Sequence, residues 1–156
     1  MQAPKKYISK LDALKKLQRF CAYQDRCHSE VRSKLLDLGI YGDDLEEIMA
    51  LLIGDNFLNE ERFARSYARG KFNIKKWGRN RIRQELKIRK ISAYCIKKAM
   101  EEIEEMDYLE TLEKLLLKKS AQMASPFSFP DKQKLATYAI AKGYEPAIVW
   151  EALKQY

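Results

Sequence analysis

The sequence predicts an all-α protein of three tandem three-helix, helix-turn-helix-like repeats that form an elongated, curved array. Three observations support this prediction. The chain of 156 residues contains only six glycines and four prolines. Its apolar residues recur at intervals of three and four, which is the period of an α-helix, whereas strand-like alternation is nearly absent. One pattern of apolar positions also occurs three times along the chain.

About nine helices follow from eight interruptions of the helical period. The first helix carries apolar residues at positions 11, 14, 17 and 21, before the first interruption. The interruptions fall near residues 24–27, 38–42, 55–59, 75–78, 90–92, 106–107, 124–130 and 142–146. Asn59 is a suitable N-cap for the fourth helix. Asp43 and Asp107, each followed by a glutamate three residues later, predict capping boxes for the third and seventh helices.

The repeated pattern places apolar residues at spacings of 4, 5, 5 and 4. Its positions are Val31, Leu35, Ile40, Leu45 and Met49, then Ile82, Leu86, Ile91, Ile96 and Met100, then Leu135, Ala139, Tyr144, Val149 and Leu153. Each set covers two helices and a short turn, which resembles a helix-turn-helix. We therefore assign residues 1–56, 57–105 and 106–156 to three stacked repeats, with contacts mainly between neighbours.

The turns of the three pairs share a position that favours a left-handed backbone. Gly39 and Gly143 occupy this position in the first and third repeats. Glycine adopts a left-handed conformation at helix ends without steric cost. Lys90 stands at the matching place in the middle repeat, so we expect that turn to be less tightly specified.

The positive charge is concentrated in the middle repeat. The whole chain carries +8, but the segment from Arg62 to Lys98 holds fourteen basic residues and one acid, so it carries +13 and the remainder −5. A run of charge is often only a solvated helix face. This concentration favours an anion-binding surface, because clustered like charges repel unless an external partner compensates them. The residues expected to form the main anionic contact are Arg65, Arg69, Lys76, Arg79, Arg83 and Lys87.

A positive balance of this size suggests a nucleic acid, an acidic protein partner or an anionic membrane. If the partner is single- or double-stranded DNA, the position of the charge on the first two helices of the middle repeat favours contact with the backbone over base-specific recognition. Arginine binds phosphate oxygens through two parallel hydrogen bonds, and lysine adds charge. Tyr67, Phe72 and Trp77 lie among these cations. Aromatic residues in this position either stack on bases or belong to the helical core, and the sequence leaves both possibilities open.

The sequence contains no recognisable catalytic constellation. His28 is the only histidine, and Cys21, Cys27 and His28 fit no common zinc-finger spacing. We therefore expect that the protein is not an enzyme and that it binds neither a cofactor nor a metal ion. Three cysteines and an N-terminus, MQAPKKYISK, without an apolar signal core predict a reducing, cytoplasmic compartment. No stretch approaches the length of a membrane helix, and we expect a monomer.

Two stretches resemble the RecX family of bacterial recombinase regulators: FLNEERFARSYARGK (57–71) and GRNRIRQELKIRKIS (78–92). SEVRSKLLDLGI (29–40) looks like the first-repeat pair of that family. The residues that carry the resemblance are Phe63, Ala64, Arg65, Tyr67, Gly78, Arg81, Ile82, Arg83, Leu86 and Ile91. Lys90 departs from the family pattern, which has glycine there, and the third repeat matches in architecture more than in sequence.

The resemblance implies a fold and a function. The fold would consist of tandem three-helix repeats. The protein would bind the RecA recombinase filament on DNA and inhibit its ATPase, strand-exchange and co-protease activities. It would thereby modulate homologous recombination, DNA repair and the SOS response.

Two other functions remain compatible with the residues. A helix-turn-helix transcriptional regulator without a recombinase partner would require base-reading residues on its third helix. The third helix of the middle repeat, SAYCIKKAMEEI, offers only Lys97 and Lys98. A protein–protein scaffold would not require the concentrated charge.

Overall fold

The computed structural model describes residues 8–124 and 127–156, and these form nine α-helices and no strand. The helices are α1 Lys10–Tyr23, α2 His28–Asp37, α3 Gly42–Gly54, α4 Glu60–Asn73, α5 Arg79–Ile88, α6 Ala93–Met100, α7 Glu105–Ser120, α8 Phe129–Ala141 and α9 Pro146–Leu153. The predicted all-α class is confirmed. The start of the chain, where the sequence lacks a signal-like core, and residues 125–126, within the interruption predicted at 124–130, lie outside the described residues.

Side-chain caps define the beginning of several helices. The Asn59 side chain accepts a hydrogen bond from the Arg62 backbone N–H at 2.9 Å, as predicted. The two predicted capping boxes are wrong. The N-cap residue is Tyr41 in α3 and Glu104 in α7, so both aspartates lie inside the first turn. The helix dipole still stabilises their negative charge there, but neither side chain accepts an N-cap hydrogen bond.

The threefold repeat is confirmed by burial. Leu35, Leu86 and Ala139, which are equivalent in the pattern, have no exposed surface. Fourteen of the fifteen pattern positions are buried, and Met100 is half-buried. The repeat boundaries at 56/57 and 105/106, and the curvature of the array, remain predictions.

The three turns have the same backbone hydrogen bonds. In the first, the Ile40 N–H donates to the Leu35 carbonyl at 2.9 Å, and the matching distances are 3.1 Å from Ile91 and 3.2 Å from Tyr144. The residue before each of these has a left-handed φ: 83° at Gly39, 60° at Lys90 and 107° at Gly143. The expectation of a looser middle turn is therefore wrong. Lys90 adopts the conformation that glycine favours, because the surrounding bonds and the buried residue 91 impose it.

The described interior contains two separate hydrophobic cores. The first extends from Ala13 to Leu58 and lies within the first repeat except for Leu58, which is two residues past the predicted boundary. The second contains residues of α4 to α9, from Phe63 to Leu153, together with Cys27 from the first repeat. The second and third repeats therefore share one interior, whereas the first repeat packs chiefly on itself.

Two glycines bring the backbones of the second and third repeats into direct contact. The Gly78 N–H donates to the Lys142 carbonyl at 2.8 Å, and the Asn80 N–H donates to the Gly143 carbonyl at 2.9 Å. A Cβ at Gly78 would lie 2.2 Å from the Gly143 carbonyl carbon. A side chain at either glycine would force the repeats apart, so this contact fixes the start of α5 against the α8–α9 turn.

Candidate nucleic-acid interface

The six predicted contact residues do not form one free surface. Arg65 and Arg69 lie on α4, Lys76 in the following loop, and Arg79, Arg83 and Lys87 on α5. Three of the six are paired with carboxylates of the chain itself. The other three have no carboxylate partner in residues 8–124 and 127–156.

Arg65 and Arg69 bind the acidic residues that follow α6. Arg65 lies 3.0 Å from a carboxylate oxygen of Glu102 and 3.5 Å from one of Glu101, and it also contacts Glu61 at 3.2 Å. Arg69 lies 3.1 Å from Glu102. Hydrogen bonds from Arg65, with a smaller contribution from Arg69, lower the pKa of Glu102. Both arginines would have to leave these carboxylates before they could bind phosphate.

Arg79 belongs to a partly buried polar network between the repeats. Its side chain is only 14% exposed and donates to Glu105 and, at 3.0 Å, to Glu145. Its guanidinium carbon lies 3.9 Å from the centre of the Tyr108 ring. The Tyr108 hydroxyl donates to Glu145 and accepts the Arg79 backbone N–H at 3.0 Å. This environment is that of a structural residue, because every partner is internal.

Burial raises the pKa values of two tyrosines, Tyr108 in this network and Tyr144 next to it. Tyr108 and Tyr144 have no exposed surface, and their ring centres are 5.0 Å apart. Burial, and secondly the hydrogen bond to Glu145, raises the pKa of Tyr108 far above its usual value. Burial also raises the pKa of Tyr144, whose hydroxyl donates to the Lys76 carbonyl at 3.0 Å. Both phenols therefore remain protonated donors throughout the neutral range.

Lys76, Arg83 and Lys87 are the predicted cations that remain available. Lys76 and Lys87 are exposed, and Arg83 is half-buried with an Asn80 side-chain oxygen at 3.3 Å. In the described parts of the chain none of them lies within salt-bridge distance of a carboxylate. They can therefore bind external phosphates without breaking an internal ion pair.

The aromatic residues divide between core and surface. Phe72 is buried in the second core, next to Tyr108. Tyr67 and Trp77 are half-buried, with ring centres 6.5 Å apart. Lys71 and Arg81 approach the Trp77 ring at 4.9 and 4.1 Å, and Arg89 approaches the Tyr67 ring at 4.9 Å.

Sequence reasoning missed Lys71 and Arg81 as members of a joined cation–aromatic cluster. Arg81 lies four residues after Trp77, and Lys71 lies four residues after Tyr67. On α4 this spacing places Lys71 beside the Tyr67 ring and could have indicated that contact. Trp77 precedes α5, so its contact with Arg81 depends on the conformation of the loop, which the spacing does not reveal.

No described group of three or more His, Cys, Asp and Glu side chains could hold a metal ion. The Cys27 thiol contacts Ser29 and Glu30 at 3.1 and 3.2 Å. None of the helices within residues 8–124 and 127–156 has both the length and the apolar character needed to span a bilayer.

The fold and the charged surface define a protein of tandem three-helix repeats with a basic middle repeat. Comparison with known proteins shows similarity to RecX proteins. Residues 59–100 match the family description "RecX, second three-helix domain". The chain is similar to the regulatory protein RecX of Salmonella paratyphi A, with 29% identity over 136 residues, 81% of this chain and 80% of that protein. It is also similar to the regulatory protein RecX of Bacillus cytotoxicus, with 24% identity over 87% of this chain and 50% of that protein.

Solved structures show the same fold. The crystal structure of RecX from Lactobacillus salivarius superposes with a TM-score of 0.84 at 23% identity, covering 94% of this chain and 95% of that one. A second structure, titled "Crystal structure of regulatory protein RecX", gives a TM-score of 0.81 at 24% identity, covering 94% and 72%. Residues 59–100 thus match a RecX second three-helix domain, and the chain as a whole is similar to RecX regulatory proteins. Its relatives are named as regulatory proteins and not as enzymes.

Proposed function

We propose that this protein binds the RecA recombinase filament on DNA and inhibits its ATPase, strand-exchange and co-protease activities. It would thereby modulate recombination, DNA repair and the SOS response. The match to the RecX second three-helix domain and the similarity to RecX regulatory proteins support this proposal. The structural observation that supports it best is the set of middle-repeat cations without carboxylate partners in the described residues, because uncompensated charge of this kind favours an anionic partner outside the chain.

The mechanism requires binding rather than catalysis. A nucleoprotein filament presents phosphate and acidic protein surface along a groove. An array of helical repeats that contacts several filament subunits at once would resist the rearrangements that accompany ATP turnover. In this mechanism the protein acts in the cytoplasm as a monomer and hydrolyses no nucleotide itself.

Within the predicted contact set, Lys76, Arg83 and Lys87 are the strongest candidates. They can bind phosphates at no cost to internal ion pairs. Arg65 and Arg69 would take part only by exchanging Glu101 and Glu102 for an external anion. Arg79 is the weakest candidate, because it would have to leave Glu145 and Glu105 to bind a phosphate, and both carboxylates would then lack their cation.

The alternative is a helix-turn-helix transcriptional regulator without a recombinase partner. The α5–turn–α6 pair has the shape of a helix-turn-helix, which favours this alternative. However, α6 offers only Lys97 and Lys98 as cations, and Lys98 lies 3.6 Å from Glu101. Specific regulators read bases from such a helix, whereas here the charge lies on the two preceding helices.

The test compares filament inhibition by two triple-alanine variants. One replaces Lys76, Arg83 and Lys87. The control replaces Lys15, Lys16 and Arg19, which are exposed on α1 and have no carboxylate partner in the described structure, so both variants lose the same charge. We expect the first variant alone to lose inhibition of the DNA-dependent RecA ATPase. Its slope of log K against log salt for single-stranded DNA should become less negative by about 2, at roughly 0.7 per lost phosphate contact.

Unchanged inhibition by a folded Lys76, Arg83 and Lys87 variant would reject this contact set. Absence of any effect of the wild-type protein on the RecA ATPase would reject the proposed function. Tight binding to one operator-like duplex, in preference to random DNA and to filaments at matched salt, would favour the alternative.

A further inference from the structure

Two cations lie over the Trp77 ring, and two more, Lys75 and Lys142, lie near it where the second and third repeats meet. Arg81 and Lys71 lie 4.1 and 4.9 Å from the centre of the Trp77 ring. The Lys142 ammonium lies 3.3 Å from the carbonyl of Lys75, two residues before Trp77. We name these five residues, Lys71, Lys75, Trp77, Arg81 and Lys142, the Trp77 cluster.

The loop that carries Lys75 and Trp77 is held in one conformation. The Trp77 N–H donates to the Lys71 carbonyl and the Lys76 N–H to the Phe72 carbonyl, both at 3.1 Å. The Lys76 carbonyl accepts the Tyr144 hydroxyl. The third repeat thus holds the loop by side-chain contacts, in addition to the backbone contact at Gly78. A surface fixed before binding loses little conformational entropy when a ligand arrives.

The charge of the Trp77 cluster is not neutralised within the described residues. None of its four cations lies within salt-bridge distance of a carboxylate there. By contrast, Arg62, Arg65 and Arg79 each have a carboxylate oxygen within about 3 Å. The carboxylate of Glu85, one turn after Arg81, is bound to Arg89 at 3.0 Å. Four like charges held close together by α4, the following loop, α5 and the end of α8 repel each other, and an external polyanion would reduce that repulsion.

Arg81 is presented in a form suited to a nucleobase. Its side chain is exposed, and its guanidinium lies over the Trp77 ring. A guanidinium that covers an aromatic ring on one side leaves its other side for a second ring, and bases stack on arginine planes as they do on aromatic side chains. In a duplex the base faces are already stacked, so this chemistry selects single strands.

A groove beside the cluster offers a path for the strand. It has a volume of about 360 Å³, and its α4 wall is lined by Ser66, Tyr67, Gly70 and Lys71. A Cβ at Gly70 would meet no atom within 4 Å, so nothing obstructs this wall. Two carboxylates also line the groove, and both have a cationic partner: Asp25 lies 2.8 Å from Arg62, and Glu30 lies 3.7 Å from Arg26.

We propose that the Trp77 cluster is a binding site for single-stranded nucleic acid, in which a base stacks on the Arg81 guanidinium held over Trp77, while Lys71, Lys75 and Lys142 bind the flanking phosphates. This proposal deepens the DNA-binding part of the proposed function and rests on that part alone. It involves no recombinase, so it can be tested on the isolated protein.

The experiment measures binding of the full chain to three labelled DNAs by fluorescence anisotropy. The probes are an oligothymidylate, an abasic strand and a duplex, each of about 12 nucleotides per strand, a length in the range of single-strand binding sites. The key variant is Arg81→Lys, which keeps the charge but removes the planar group. The control is Arg19→Lys, which makes the same exchange at an exposed position on α1.

We expect the wild-type protein to bind oligothymidylate about tenfold more tightly than the abasic strand, in line with base stacking. Arg81→Lys should remove most of that preference and leave abasic binding unchanged, and Arg19→Lys should change neither. In a Trp150→Phe background, oligothymidylate should quench the fluorescence of Trp77. A melting curve for each variant ensures that only folded protein is compared.

Equal binding of the oligothymidylate and the abasic strand by the wild-type protein would overturn the proposal. So would a preference that survives Arg81→Lys, or tighter binding to the duplex than to the single strand. The recombinase assay separates the two proposals. Inhibition of RecA without base-dependent binding would reject this site alone, and base-dependent binding without inhibition would reject the filament function alone.

Discussion

The polar network around Tyr108 predicts a large loss of stability from the removal of one oxygen atom. In Tyr108→Phe the ring remains, so packing against Tyr144 and Phe72 is retained. Two hydrogen bonds disappear: the one donated to the Glu145 carboxylate and the one accepted from the Arg79 N–H. A bond to a charged group contributes about 1.5–3 kcal/mol, and a donor left without a partner costs about 1–3 kcal/mol. Because Arg79 still neutralises Glu145, we expect a total loss of about 2–4 kcal/mol.

Urea denaturation at neutral pH measures this loss, and Tyr144→Phe provides a matched control. The Tyr144 phenol is equally buried, but it donates to a neutral carbonyl, that of Lys76, so its removal should cost only about 1 kcal/mol. In thermal melts the Tyr108→Phe loss corresponds to a decrease in Tm of roughly 5–15 °C. Equal losses in both variants, or a loss of under about 1 kcal/mol in Tyr108→Phe, would refute the reasoning that the charged network joins the two repeats.

Three further predictions concern stability. Leu86→Ala should lower the unfolding free energy by about 2–5 kcal/mol in urea titrations, and a near-neutral result would contradict its place in the second core. Lys90→Gly should raise the unfolding free energy by up to about 1 kcal/mol, because glycine relieves the left-handed strain, whereas a decrease would mean that the lysine is not strained. The raised pKa values of Tyr108 and Tyr144 predict stability that is fully present below pH ~10, the unfolded pKa, and decreases above it. Urea titrations between neutral and strongly alkaline pH should show this decrease, and a shallower one in the double Phe variant.

The repeat could be predicted from the sequence because burial imposes it locally. Each pattern position, such as Leu35 or Leu86, is apolar because it is buried within a single helix pair and its turn, which together span about twenty residues. The left-handed turns could be predicted from Gly39 and Gly143 because they too depend only on nearby residues. Even Lys90, which carried no glycine signal, was placed correctly by its spacing from Ile91.

The fate of the arginines could not be predicted, because it depends on which helices meet in space. Nothing local to Arg79 indicates that Glu145, 66 residues later, lies against it. The pairing of Arg65 with Glu102 was more accessible. A run of four glutamates at positions 101, 102, 104 and 105 directly follows the basic segment, and such a run is a natural internal counter-charge. The contact between Gly78 and Gly143 could not be predicted, because an isolated glycine occurs in turns and helix ends as well as at close backbone contacts.

The division of the interior into two cores determines what an incomplete chain can do. During synthesis the first core is complete once Leu58 has emerged, whereas the second draws on residues up to Leu153. A chain ending after the second repeat would present Phe72 and Ile82 to water without the third repeat, a state prone to aggregation. A chain that lacks the first repeat would lose only Cys27 from the second core. Truncation should therefore be tolerated far better at the beginning of this protein than at its end.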